Sequence, residues 1–197
     1  MDADRDALPL LEGRRILLRP LSSADADGLH QAYGDPEAMR FWDFPASVDV
    51  AETAQRIDWS LQASARFHAC WAVVLRDDAR VVGMVNYHHR EPWNRRLEVG
   101  YILARAFWGR GLMGDAMRAF LAHCFGALNC HRIEATIEPD NLASIRLAER
   151  LGFCREGGPM RDRLCVGGDF RNMLMFGLLA RDFSRSAGDR AAAAPPT

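Results

Sequence analysis

The chain contains no lysine; all 25 of its basic residues are arginine. That excludes lysine chemistry such as a Schiff base. Cysteine is sparse and scattered: Cys70, Cys124, Cys130, Cys154 and Cys165 are odd in number and form no C-x-x-C pair. The spacing speaks against a disulfide framework and a metal site, and predicts a reducing, cytoplasmic compartment. Net charge is only −1, so no bulk attraction to nucleic acid or to a membrane is expected. No apolar run reaches the roughly 18 residues of a membrane span, and the acidic opening does not resemble a secretion signal.

What the chain does have is 49% hydrophobic residues, enough for one real core in 197 residues. Residues 1–12 are acidic and expected to be loose. Residues 13–183 are expected to form one domain. Residues 184–197 are polar, then Ala/Pro-rich, and are expected to be disordered.

The sequence is organised around Leu97 to Cys124. Leu97, Val99, Tyr101 and Leu103 alternate with Glu98, Gly100 and Ile102, the period of a strand. Met113, Met117, Phe120, Leu121 and Cys124 recur at three- and four-residue steps, the period of a helix face. Between them lies Trp108-Gly109-Arg110-Gly111-Leu112-Met113-Gly114. Backbone N–H groups at a helix start are unpaired and carry the positive end of the dipole. Strand, glycine loop and helix therefore make either a tight turn or a cradle for a phosphate or pyrophosphate. The loop is not a P-loop, because no Gly-Lys-Ser/Thr follows. It fits G-x-G-x-x-G, but the acidic residue expected about 20 positions on in a dinucleotide site is hard to place.

Elsewhere, Arg15–Pro20 reads as a first strand, and Ser22 or Ser23 caps a helix through Tyr33. A short helical piece follows around Glu37 to Arg40. Phe41-Trp42-Asp43-Phe44-Pro45 is an aromatic loop, either a hydrophobic plug or one wall of a substrate cleft. Ser47 or Asp49 caps a helix through Leu61. His68–Leu75 and Val81–His88 make a hairpin, and Arg132–Ile137 alternates again. Asp140-Asn141 starts a helix to Leu151, ended by Gly152. Cys154–Pro159 and Leu164–Val166 are weak signals, and Phe170–Leu179 contains a last strand that could pair in a dimer. The pattern predicts a mixed α/β sheet.

Asn141 and Ser144 lie three apart near a helix start, where capping alone would explain them. Taken with the glycine loop, however, they complete a recognisable set. Gly100-Tyr101-Ile102-Leu103, Trp108-Gly109-Arg110-Gly111, His131-Arg132-Ile133-Glu134-Ala135 and Pro139-Asp140-Asn141-Leu142-Ala143-Ser144-Ile145-Arg146 resemble the GNAT superfamily of N-acetyltransferases. The nearer likeness is to its ribosomal-protein N-terminal acetyltransferase branch, RimJ/RimL-like. Leu17-Leu18-Arg19-Pro20-Leu21 and Gly168-Asp169-Phe170 resemble that branch too, so the likeness runs from about Arg14 to Arg181.

The resemblance implies an α/β (α+β) fold with a mostly antiparallel central sheet flanked by helices, and acetyl-CoA as donor. Its pyrophosphate would rest on the amides of Arg110 to Gly114, within a cofactor site of Tyr101, Ile102, Leu103, Trp108, Gly109, Arg110, Gly111, Leu112, Met113, Gly114, Asn141 and Ser144. The pantetheine arm would lie between the strands of Tyr101 and Ile133, pairing as an extra strand would. Arg105 and Arg110 would reach the phosphates, unless they are merely solvated. The chain departs from the family at Trp108 and Met113, where Gln or Arg and then Gly or Ala are usual. It also has Ala148 where many members carry a tyrosine acid.

Acetyl transfer needs a neutral amine, a donor to the oxyanion and an outlet for the thiolate. Candidates are Glu98 as base, acting through water, the N–H of Ile102 or Leu103 for the oxyanion, and Ser144 as acid or thiol-binding group. Glu98 could equally be a plain surface glutamate. His88, His89 and Glu138 are lesser base candidates. Phe41, Trp42, Tyr87 and His88, with Trp59 nearby, are the expected acceptor wall. The expected acceptor is a primary amine, on a protein N-terminus or on a small molecule such as a polyamine or an antibiotic. A non-catalytic acyl-CoA-binding module is the remaining alternative. The chain is expected to be a monomer or a homodimer.

Overall fold

The computed structural model describes residues 8–184. The first seven residues, and the expected tail beyond Ser184, lie outside them. In chain order the elements are β1 (Leu11–Glu12), β2 (Ile16–Pro20), α1 (Ala26–Tyr33), α2 (Pro36–Met39), α3 (Val50–Gln62), β3 (Ala69–Leu75), β4 (Val81–Glu91), β5 (Arg96–Leu103), α4 (Leu112–Gly126), β6 (Arg132–Ile137), α5 (Leu142–Leu151), β7 (Cys154–Val166) and β8 (Asp169–Leu179).

One eight-stranded sheet runs β1-β2-β3-β4-β5-β6-β8-β7. Every pair is antiparallel except β5 with β6, the two strands that α4 connects. That parallel pair holds register only at Arg96↔Arg132, Leu97↔Ile133 and Glu98↔Glu134. Beyond Glu98 the strands part, while β5 stays paired with β4 as far as Leu103 and β6 stays paired with β8 as far as Ile137. The sheet is therefore forked in its middle. Backbone groups on the inner edges of the fork have no strand partner and are open to an extended ligand.

Helices cover both faces. α4 turns Met113, Met117, Phe120, Leu121 and Cys124 inward, the face its sequence period marks. Phe120 packs edge-on against Trp71 of β3 and stacks with Tyr87 of β4. These rings are fully buried or nearly so, and each contributes about 1.5–3 kcal/mol through the area it removes from water. On the opposite face α1 lies over β4, where the Tyr33 hydroxyl donates to Met84 Sδ at 3.1 Å. The helix starts are fixed by side chains: Asp49 accepts from Glu52 N at 2.8 Å, and Asn141 accepts from Ser144 N at 3.1 Å.

Several expectations are corrected. The described part of the supposedly loose start is tied down, with β1 pairing to β2 and the Trp71 indole donating to the Pro9 carbonyl. β4 does not stop at His88 but runs to Glu91 through an irregularity in its pairing with β5. The weak signals around Cys154–Val166 are one long edge strand, largely exposed, whose interrupted register and Pro159 blur its period. The last strand, β8, lies inside the sheet between β6 and β7, so it offers no free edge to a second copy. The five cysteines are free; three are buried, and Cys154 and Cys165 are exposed.

Candidate active site

The fork opens into a cleft of about 860 Å³. One side is β5 from Val99 to Leu103, the other β6 from Ala135 to Ile137 with Glu138. The arm expected beside Ile133 is placed too low in the sequence reading, because Ile133 is still paired to Leu97 and fully buried. At one end the wall is the glycine loop: Trp108, Gly109, Gly111, Leu112, Met113 and Gly114. At the far side stand Asn141 and Ser144 of the α5 start, and across the mouth Phe41 and Trp42.

The loop's shape follows from its glycines. Gly109 and Gly111 have φ of 72° and 73°, a region closed to most L side chains. Gly111 is the N-cap of α4, a 15-residue helix, so the amides of Leu112, Met113 and Gly114 point out of its first turn. Met113 is 8% exposed, its side chain in the core while its amide remains at the cleft. The acid in that first turn, Asp115, faces away from the cleft and accepts from Arg15 N at 2.8 Å. The cradle is open, electropositive and of coenzyme size, and it fits a diphosphate.

The arginines are not where they were expected. Arg105 pairs with Asp35 at 2.8 Å, and Arg110 lies over the Phe107 ring; neither lines the cleft. Arg118, further along α4, and Arg150, near the end of α5, do line it, and neither is in an ion pair among the described residues. The sequence held a signal that was missed: Arg118 is one helical turn beyond Gly114, on the same face. Arg118→Ala and Arg150→Ala should each weaken CoA binding about tenfold, the scale of one charge-assisted phosphate contact. Titration calorimetry with CoA checks this, and a comparable loss from Arg105→Ala instead would reverse the assignment.

Around the thioester end, Asn141 spends its Oδ1 on capping α5, leaving its amide N–H groups for a ligand. Tyr101 crosses the fork, its hydroxyl 3.5 Å from the Ser144 carbonyl. Burial pushes its phenol up to about 12, against a small opposing pull from Ser144, so it stays a proton-bearing donor. Ala148 lies in the core, 2% exposed and away from the cleft wall, and the hydroxyl-bearing residues that line the cleft are Tyr101, Ser144 and, on β6, Thr136.

The base candidates sit behind the wall. Glu98 lies just where the strands part, beside Gly100 and Thr136, which line the cleft; Glu98 itself does not. Thr136 Oγ1 donates to its Oε1 at 2.5 Å; its Oε2 is 3.2 Å from His89 Nδ1 and 3.7 Å from His88 Nε2. Burial raises its proton affinity, but the contacts of His88, then Thr136 and His89, outweigh it and bring the carboxyl down to about 2. Glu98 is thus neither a bare surface glutamate nor a ready proton acceptor. Glu138 is held by Arg171 at 2.8 Å, and the same guanidinium donates to the Arg40 carbonyl at 2.9 Å, fastening the aromatic loop to β8.

Two acceptor candidates fall away. Tyr87 is 1% exposed on the α4 face and gives its hydroxyl to the Ala65 carbonyl, so it is a core residue. Trp59 is 76% exposed on α3, off the cleft. Strand alternation told their faces apart but not which face meets the cleft.

The Acetyltransferase (GNAT) domain family matches residues 15–154. An uncharacterised N-acetyltransferase of Bacillus licheniformis, p20, is 33% identical over 86% of this chain and 96% of its own length. The spermidine N(1)-acetyltransferase of Escherichia coli K12 is 25% identical, covering 81% of this chain and 83% of that protein. Among solved structures, a GCN5-related N-acetyltransferase from Brucella melitensis superposes with a TM-score of 0.84 at 24% identity, over 95% of this chain and 86% of that one. RimL, a ribosomal L7/L12 alpha-N-protein acetyltransferase in complex with coenzyme A, shares the fold at a TM-score of 0.76 and 21% identity, over 87% and 98%. The chain belongs to the GNAT acetyltransferases and is an acetyl-CoA-dependent N-acetyltransferase.

Proposed function

We propose that the acceptor is the α-amine of a protein or peptide N-terminus, as in the RimJ/RimL-like branch. The observation that carries this is the state of the carboxylates near the fork. Glu98 is engaged by two imidazoles and a hydroxyl, Glu134 by Arg96 and Arg132, and Glu138 by Arg171. None of these three carboxylates is free to serve a polycation as counter-charge. An α-amine, ordinarily near about 7.7–8.0, needs little help to shed its proton and no counter-ion for a second charge.

Acetyl-CoA supplies, when bound, an acetyl group already activated as a thioester. The first-turn amides of α4 hold its diphosphate, and Arg118 and Arg150 add charge. The edge amides of β5 within Val99–Leu103 polarise the carbonyl as an oxyanion hole would. Tyr101 and Ser144 give hydrogen bonds to the departing sulfur. The free thiols of the chain suit a reducing compartment such as the cytoplasm.

A polyamine acceptor is favoured instead by the exposed, unpaired Glu37 and Asp140 at the cleft and by the spermidine-acetylating relative. A panel of N-terminal peptides and polyamines with labelled acetyl-CoA decides between them. Peptide α-N-acetylation is expected, and transfer to spermidine with peptides untouched would overturn the proposal.

A further inference from the structure

Near its end β4 carries two adjacent histidines that meet one carboxylate. His88 Nε2 lies 3.7 Å and His89 Nδ1 3.2 Å from the same Glu98 Oε2. Neighbours on a strand ordinarily point to opposite faces. Here the pairing of β4 with β5 is irregular between His88 and Glu91, and His89 takes a φ of 47°, in the left-handed region. The irregularity turns the second ring toward the carboxylate that the first already faces. The rings stand at 73° with centroids 4.8 Å apart, so they converge on Glu98 rather than stack.

Pairing of charges alone explains this poorly. A charge-assisted N–H on a carboxylate settles at about 2.7–2.9 Å, and both nitrogens stand farther off. Ligands sit about 2.0–2.1 Å from a zinc ion, which sets them about 3.3–3.4 Å apart in a tetrahedron. The two distances to Glu98 straddle that edge, and the three donor atoms all lie within 4.8 Å of one another. The His89 side chain, 73% exposed, has room to turn and close the longest edge, and it opens the cluster to solvent on its own side. Thr136 Oγ1 takes the other carboxylate oxygen, Oε1. It leaves Oε2 as a single ligand atom and holds it in place, as outer hydrogen bonds do around metals.

We propose that His88 Nε2, His89 Nδ1 and Glu98 Oε2 form a zinc site, with water as the fourth ligand. The inference goes beyond acetyl transfer and does not depend on which amine accepts the group. Two imidazoles and one carboxylate suit zinc, whereas magnesium and calcium take oxygen ligands. Cysteine spacing, which speaks against a thiolate site, has no bearing on one built of imidazoles. The ion joins β4 to β5 at the root of the fork: His88 faces Glu98 across the ladder, and Glu98 is the last residue of β5 paired to β6. It is a staple where the sheet begins to part, and an ion that binds only the folded chain stabilises it.

The test uses the full chain carrying Cys154→Ser and Cys165→Ser, because exposed thiols bind zinc themselves. Equilibrium dialysis against zinc chloride should load one ion per chain, and dialysis against magnesium chloride none. His89→Asn removes one ligand and keeps a residue that tolerates the left-handed backbone, and Glu98→Gln removes another at constant shape. Each should weaken zinc binding at least about a hundredfold, the upper end of what losing an outer partner costs. Zinc at about a hundred times its Kd should raise Tm by about 5–10 °C in the parent, and by far less in either variant at the same concentration. Neither readout needs turnover, so the site is tested apart from the acetyl-transfer reading. A chain that retains no zinc, one that retains magnesium as well as zinc, or a variant of either ligand that binds zinc as tightly as the parent would overturn the site.

Discussion

Glu98→Gln is expected to lower kcat for acetyl transfer by about a hundredfold or more while leaving the acetyl-CoA KM unchanged, as loss of a group supporting acid–base chemistry does. The magnitudes separate its two conceivable roles. Moving a proton from an α-ammonium near about 8 to a carboxyl near 2 is uphill by about six pKa units, or ~8 kcal/mol. A carboxylate so placed is a poor base. It is a good counter-ion for an imidazolium, and its low proton affinity is the counterpart of that service. The amide in Glu98→Gln keeps the shape and one acceptor oxygen but loses the charge. Steady-state kinetics with each substrate varied in turn checks the split, and a variant retaining more than about a third of the rate would remove Glu98 from the chemistry.

The pH dependence follows from the same carboxyl. Its folded pKa, about 2, lies below the ordinary 4.5. Glu98 is therefore ionised wherever the enzyme is assayed, and an acidic limb in the rate does not come from this carboxyl. For stability the sign is that of a depressed carboxyl: the contribution is present above pH 4.5 and lost as pH falls toward 2.

Much of this site was written in local periods, and the rest was not because it depends on register. The strand through Leu103 and the helix face from Met113 to Cys124 come from short-range patterns, and both are in the structure, although the strict alternation of burial ends at Val99 and Ile102 is buried as well. The glycine loop lies between them because Gly109 and Gly111 supply a conformation that other residues resist. Where the fork begins, by contrast, is a matter of β5 against β6, two strands separated by a whole helix. Nothing near Ile133 says that pairing ends one residue later, at Glu134. Tyr87 and Asn86 are sequence neighbours on opposite faces, one under α4 and one beside Gly100. In a sheet covered on both sides, both look like core. Glu98 was marked by its type, but its role is set by His88, His89 and Thr136, which reach it from two other strands.

Gly83→Ala should destabilise the fold by about 3 kcal/mol, and Gly126→Ala should stabilise it by about 0.5–1 kcal/mol, although both add one methyl group. At Gly83 a Cβ would come within 2.2 Å of the Ile102 carbonyl oxygen and 3.0 Å of Leu103 Cα. Both are backbone atoms of the paired strand, clamped by Ala104 N donating to the Val82 carbonyl at 2.8 Å, so no side chain can swing aside. β5 would have to move, and with it the wall that Ile102 and Leu103 give the cleft. At Gly126, the last residue of α4, a Cβ meets nothing within 4 Å, and alanine only reduces the freedom of the unfolded chain. For a chain of this length the pair should shift Tm by about 6–12 °C downward and about 1–4 °C upward. Thermal unfolding by circular dichroism checks both, and Gly83→Ala should also raise the acetyl-CoA KM, which Gly126→Ala should not. A Gly83→Ala protein as stable and active as the parent would mean that β4 and β5 do not approach this closely.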